Sequence, residues 1–352
     1  MHPRLLLLLS LLLAATPAGA AAPSVIPVDR VADAYVQPHQ RVEVEPGRKM
    51  NIHCAGTGSP TVIFESGLSD WSNTWALIQP AVATRTRACS YDRPGMGYSD
   101  PSRHHPTPEN AVLDLHTLLD RAGIEGPLVV VGHSLGGFYM KLYAATYPGQ
   151  VAGIVLVDPS EERLWKRVGP ALASRFGAKL VREAADDDDA SIKQGIAHFQ
   201  ECADKARKAS LDDATYLQCS DPVRTQLGAT INAERRKLQV LAPYQTAQAD
   251  EFAYSMFAPD RAADARYARL FGGRHPFGNK PLVVLTHSIW DMTPPFGETG
   301  WLSWVTAHRQ TAAMSARGTA RVVPMTRHNI QVDQPQAVID AVVGVLDSLA
   351  AP

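Results

Sequence analysis

Residues 126–139 read GPLVVVGHSLGGFY, and this stretch constrains the fold more than any other. Val129, Val130 and Val131 make a short, wholly apolar, β-branched run, the pattern of a strand buried on both faces. The run meets Gly132-His133-Ser134-Leu135-Gly136-Gly137 with no loop between, and an amphipathic segment follows. A strand that becomes a helix this abruptly strains the backbone at the turn, so the residues two before and two after Ser134 must be glycine or very small. The turn lifts the serine oxygen above the sheet edge, at the amino end of the helix, where the dipole and free N–H groups favour negative charge. Gly-x-Ser-x-Gly alone arises by chance in about one chain in ten of this length. Only the flanking strand and helix separate a nucleophile from an ordinary tight turn.

The rest of the chain repeats the alternation. QRVEVEPGRKMNIHC reads as two strands joined at Pro46-Gly47, and TVIFES (61–66) and RACSYD (87–92) as two more. Thr107-Pro108-Glu109 opens a helix whose apolar face is Val112, Leu115, Leu119 and Ala122. VAGIVLVD (151–158), PLVVLTHS (281–288) and ARVVPM (320–325) continue the strands, Pro324 suiting an edge, and Pro335 opens a last helix. Apolar strands alternating with helices predict a mainly parallel sheet covered on both faces. From 161 to 276 the alternation stops. That stretch is rich in charge and alanine, and it reads as a helical cap inserted between a first core part (37–160) and a second (277–352).

The chain begins MHPRLLLLLSLLLAATPAGA, with a positive Arg4, an apolar Leu5–Leu13 and small residues up to Ala20. This reads as a signal peptide over residues 1–20, cleaved near Ala20, because the apolar run is short for a bilayer span. A secreted or periplasmic protein without a stable membrane anchor is expected. Net charge is −1 and no lysine-rich run is interleaved with aromatics, so composition offers no pull toward nucleic acid. In an oxidising compartment four cysteines suggest disulfides, although three pairings exist and buried thiols are an alternative. Cys54 with Cys89 and Cys202 with Cys219 is the preferred set. The acidic run Asp186–Asp189 reads as a solvated helix end or loop rather than a cation site.

A serine nucleophile needs a base, and the base an orienting acid. His328 follows the last strand and precedes the last helix, so its loop should lie over the strands' carboxyl ends. Asp291, just past the penultimate strand, gives the order Ser, Asp, His and is the preferred acid; Asp158, ending VLVD, is the alternative. The oxyanion contributors expected are the backbone N–H groups of Leu135 and, from the loop after TVIFES, Leu68.

With FESGLSDWSNTW, YDRPGMGYSD, VVVGHSLGGFYMKLYAATYP, GIVLVD and RHNIQVDQP in view, the chain resembles the α/β-hydrolase fold superfamily. The resemblance covers roughly 40–160 and 278–350. It implies an eight-stranded, mainly parallel sheet with helices on both faces, a variable cap over the pocket, and no metal or organic cofactor. Its sheet order sets the second strand, antiparallel, beside the fourth, which supports a Cys54–Cys89 bridge. The expected activity is cleavage of small-molecule carboxylic esters through an acyl-enzyme on Ser134. Peptidase, lactonase, C–C hydrolase and perhydrolase activities share that chemistry, and a non-catalytic binding protein is a further alternative. Serine at the turn sets the chain apart from epoxide hydrolases and haloalkane dehalogenases, which use aspartate there.

Overall fold

The computed structural model describes residues 22–258 and 261–351; the leader read at residues 1–20 lies outside them. The chain has the α/β-hydrolase fold. Eight strands, β1 (Gln40–Glu45), β2 (Arg48–Ala55), β3 (Thr61–Glu65), β4 (Ala88–Tyr91), β5 (Leu128–His133), β6 (Val151–Val157), β7 (Leu282–Thr286) and β8 (Gly318–Val322), form one sheet in the order β1-β2-β4-β3-β5-β6-β7-β8. β2 runs antiparallel to both neighbours, and every pairing from β4 to β8 is parallel. Cys54 faces Cys89 across the β2–β4 register, and the two are bonded.

Two helices precede the turn after β5: α1 (Gln79–Val82) and α2 (Pro108–Arg121). Thr107 caps α2, its hydroxyl accepting from the Asn110 N–H. α3 (Leu135–Thr146) follows β5 without a loop and is buried from Leu135 to Ala144, sandwiched between the sheet and α2. Between β6 and β7 come α4 (Leu164–Phe176), α5 (Ala178–Lys208), α6 (Asp213–Cys219), α7 (Gly228–Gln239), α8 (Ala242–Tyr254) and α9 (Arg261–Leu270). The Cys202–Cys219 disulfide ties α5 to α6. The second core part adds α10 (Gly297–Ala312), α11 (Ile330–Asp333) and α12 (Pro335–Ala350).

Side chains alternate along the strands, and each face of the sheet therefore has its own core. Ile63, Val130, Ile154 and Val284 pack with α2 and α3. Val62, Val129, Val131 and Val155 pack with α1 and α12, which buries Val338, Ile339, Val342, Val345 and Leu346. At about 1.5–3 kcal/mol per buried aliphatic side chain, that single stripe is enough to dock α12.

Three expectations shift. β8 ends at Val322, so Pro324 stands beyond the edge strand; Val323 N–H still donates to Thr286 O, and proline, lacking a donor, ends the ladder. The acidic run lies inside α5 rather than at a helix end or in a loop. The lead-in before β1 forms two 3-10 turns whose Ala32 and Tyr35 pack with Leu227 and Ile231.

Candidate active site

β5 delivers Ser134 in a left-handed conformation, φ 51 and ψ −122. A side chain on Gly132 would strike the Gly136 carbonyl, and one on Gly136 would strike the Ser66 carbonyl. The glycine spacing is thus a steric requirement of this turn. Ser134 Oγ lies 2.8 Å from His328 Nε2, and His328 Nδ1 lies 2.5 Å from Asp158 Oδ2. A carboxylate only accepts, so the proton between the last pair belongs to His328, leaving Nε2 to accept from the serine hydroxyl.

The preferred acid is corrected by this geometry. Asp291 is exposed, and its carboxylate accepts from Thr293 N–H at 2.9 Å and from the Thr293 hydroxyl at 2.5 Å. It stands five residues past Thr286, the end of β7, where the chain has turned outward toward Pro294-Pro295. Asp158 follows directly on β6 with φ 46, which aims its side chain across the strand ends. Its Oδ1 accepts from His287 N–H at 3.1 Å and from Trp304 Nε1 at 3.0 Å, while Oδ2 takes His287 Nδ1 at 2.6 Å besides His328. Full burial would raise this carboxyl, but the bonds from His287 and His328 outweigh it and hold Asp158 well below the ordinary aspartate range.

Other donors fix the remaining pieces. His133, the variable residue of the turn, points Nε2 at the His328 carbonyl at 2.9 Å, and burial brings its imidazole down to about 3, so it stays neutral. A side chain on Gly67 would meet His133 Nδ1 and Ser134 Cβ, which places the Ser66–Asp70 loop, with Leu68, directly against the serine. Leu135 opens α3, where N–H groups have no intrahelical acceptor. Ser160 Oγ stands 3.5 Å from Ser134 Oγ. His328 is 44% exposed along its side chain whereas Asp158 is sealed at 0%, so solvent and substrate reach the serine past the imidazole.

Arg93, inside YDRPGMGYSD, is buried beneath the Ser66–Asp70 loop. It donates to Ser66 O and Gly67 O, both at 2.6 Å, and to Glu65 at 2.5 Å, and it pairs with Glu251 of α8. From the cap, Glu251 accepts from Ser69 N–H at 3.1 Å and the Tyr244 hydroxyl donates to Ser69 O at 2.8 Å. Arg224 and Arg235 bind the two oxygens of Asp70 at 2.7 and 3.0 Å. Burial would raise Asp70, yet these two guanidinium groups bring it down to about 2. The sequence offered no signal for Glu251, Arg224, Arg235, His287 or Trp304; Arg93 was visible only as part of a loop motif.

Two clusters have metal-ligating atoms. Asp158, His287 and His328 converge, but both imidazoles turn a protonated Nδ1 on the carboxylate, and an N–H is not a metal ligand. The other is His198 with Cys202 and Cys219, whose sulfurs are bonded to each other. Trp71 and Trp75 are core residues, while Trp290, Trp301 and Trp304 ring His287 and His328. Trp290 also walls a cavity of about 310 Å³ shared with Trp165, Asp187, Asp188 and Asp291.

The comparisons with known proteins agree with this architecture. The family model described as alpha/beta hydrolase fold matches residues 60–231. A thermophilic esterase from Thermogutta terrifontis superposes with a TM-score of 0.55 at 18% identity, over 90% of this chain and 100% of that one. The enol-lactonase from Burkholderia xenovorans LB400 superposes at 0.53 and 18% identity, over 88% and 100%. Among curated sequences, an uncharacterized Schizosaccharomyces pombe protein is 37% identical over 136 residues, 38% of this chain and 24% of that protein. A (lyso)-N-acylphosphatidylethanolamine lipase from Bos taurus is 30% identical over 39% of this chain and 51% of its own. The matches to the first curated relatives span less than half of those proteins' length. Fold and comparisons together define a hydrolase class of enzyme. The chain belongs to the α/β-hydrolase fold superfamily.

Proposed function

We propose that this protein is an exported serine hydrolase that cleaves carboxylic esters, with Ser134 as nucleophile, His328 as base and Asp158 as orienting acid. The observation that carries the reading is the unbroken series Ser134 Oγ, His328 Nε2, His328 Nδ1, Asp158 Oδ2, with both links at hydrogen-bond length. His328 takes the Ser134 proton as Oγ attacks the ester carbonyl. The N–H groups of Leu135 and Leu68 receive the oxyanion. His328 then protonates the departing alkoxide, and an acyl-Ser134 ester remains. Water, giving its proton to His328, releases the acid and restores the serine. The esterase and lactonase neighbours favour an ester or lactone carbonyl over other acyl groups. The two disulfides fit an oxidising compartment, and no helix among the described residues is long and apolar enough to cross a membrane.

Labelling with a fluorophosphonate, followed by peptide mapping and assays on nitrophenyl esters, tests the proposal. A single adduct on Ser134 and a loss of at least about 10⁴-fold in kcat for Ser134→Ala are expected. An adduct elsewhere, or a Ser134→Ala enzyme with full activity, would sink it.

A further inference from the structure

At the carboxyl end of β7, where the sequence placed the acid, the chain carries His287 instead. It grips the carboxylate that β6 supplies. Its backbone N–H donates to Asp158 Oδ1 and its Nδ1–H to Asp158 Oδ2, so one residue holds both oxygens. Since Asp158 only accepts, the geometry also fixes the His287 tautomer with its proton on Nδ1. The ring is itself held. It stacks on Trp290 with centroids 5.3 Å apart at 17° and meets Trp301 edge-on at 5.9 Å. Its side chain is 7% exposed.

We infer that His287 is a positioning residue of the active site, a second imidazole on the triad carboxylate that fixes the plane in which Asp158 meets His328. This rests on the triad reading above. Oδ2 lies between two imidazole N–H donors, at 2.6 and 2.5 Å, and only the second belongs to the base. Without the first, Trp304 and the His287 backbone remain on Oδ1, and Oδ2 is steered by His328 alone. The carboxylate can then rotate about its Cβ–Cγ bond, and the His328 ring turns away from Ser134. Outer partners that orient a first set of ligands are worth roughly 10–100-fold in comparable sites. The nearby His308 does not duplicate the role. Its Nδ1 is 4.0 Å from Asp158 Oδ1, and its ring nitrogens are taken by Thr286 Oγ1 at 2.7 Å and Pro159 O at 3.0 Å.

The test compares His287→Leu and His287→Asn on one nitrophenyl ester, alongside low-field proton NMR of the imidazole N–H region. His287→Leu should lose about 10–100-fold in kcat with KM unchanged within about twofold. His287→Asn, whose amide N–H replaces Nδ1–H, should recover most of that rate. The wild-type spectrum should show two strongly hydrogen-bonded imidazole N–H protons and His287→Leu one. An unchanged kcat in His287→Leu, a loss carried by KM, or a single such proton in the wild type overturns the assignment. Should His287→Leu not fold, the wild-type spectrum and His287→Asn decide it: two protons with near-wild-type kcat support the role, one proton or no rescue rejects it. Failure of the underlying triad is read separately, as full activity in Ser134→Ala. An inactive Ser134→Ala beside an insensitive His287→Leu removes only the positioning role.

Discussion

Two regions press on Ser134 from opposite sides, and they use different physics. The core side is made of strand ends: Ser134 after β5, Asp158 after β6, His287 after β7 and His328 after β8, linked by imidazole and carboxylate bonds. The cap side is made of ion pairs: Glu251 with Arg93, and Arg224 and Arg235 with Asp70, all on the loop that carries Leu68. The core places the groups that move a proton. The cap side holds the backbone that receives an oxyanion, and its charges stay ionised only while each keeps its partner. Damage on the core side should therefore read out in rate, and damage on the cap side in stability first.

The largest contrast lies within the core side. Asp158→Asn should lower kcat by about 10⁴-fold, because an amide cannot hold the His328 tautomer. Asp291→Asn, altering an exposed carboxylate bound only to Thr293, should change kcat by less than about twofold, a surface substitution costing little. Parallel kinetics on purified variants check the pair, and a reversed ranking would return the acid to Asp291.

On the cap side, Asp70→Asn leaves two buried guanidinium groups facing a neutral amide. A stability loss of about 3–5 kcal/mol by urea unfolding is expected. The pH dependence has a definite sign. Asp70 sits at about 2 in the folded protein, below its ordinary 3.8, so its contribution is complete above about pH 4 and is lost as pH falls toward 2. Chemical denaturation at pH 5 and pH 3 should show wild type losing more stability than Asp70→Asn over that window. Equal losses would mean Asp70 is not the group that titrates.

Smaller still is the cap staple. Replacing Cys202 and Cys219 by serine opens a link of sequence separation 17 and should cost about 3 kcal/mol, with kcat nearly unchanged, since neither residue touches the site. A variant that folds as stably as wild type by thermal melting would show that this link adds nothing.

The same division explains what could be read in the sequence. Ser134, Gly132 and Gly136 were legible because a sharp turn imposes its glycines within five consecutive residues. His328 was legible because a loop between a final strand and a final helix has one place to lie. The acid was ambiguous, as both candidates follow an apolar strand. What separates them is a left-handed φ at Asp158 and an outward turn before Pro294, and neither leaves a mark in residue type. Bonds across the fold were beyond reach: His287 meets Asp158 from 129 residues away, and Arg235 meets Asp70 from 165. Chemistry assembled from distant segments has no local signature.

Lys141 gives the cap a further property. Its ammonium is fully buried behind the nucleophile, on α3, and binds Glu161 at 2.7 Å and Glu162 as well, at the point where the chain leaves the core for the cap. Arg167 of α4 joins both carboxylates. Lifting the first cap helix would strip counter-charges from a cation with no water around it, so this hinge is electrostatically locked. Slow amide exchange should therefore extend without a break from α3 through the 160s into α4, as expected for a single cooperative unit rather than a flap on a scaffold.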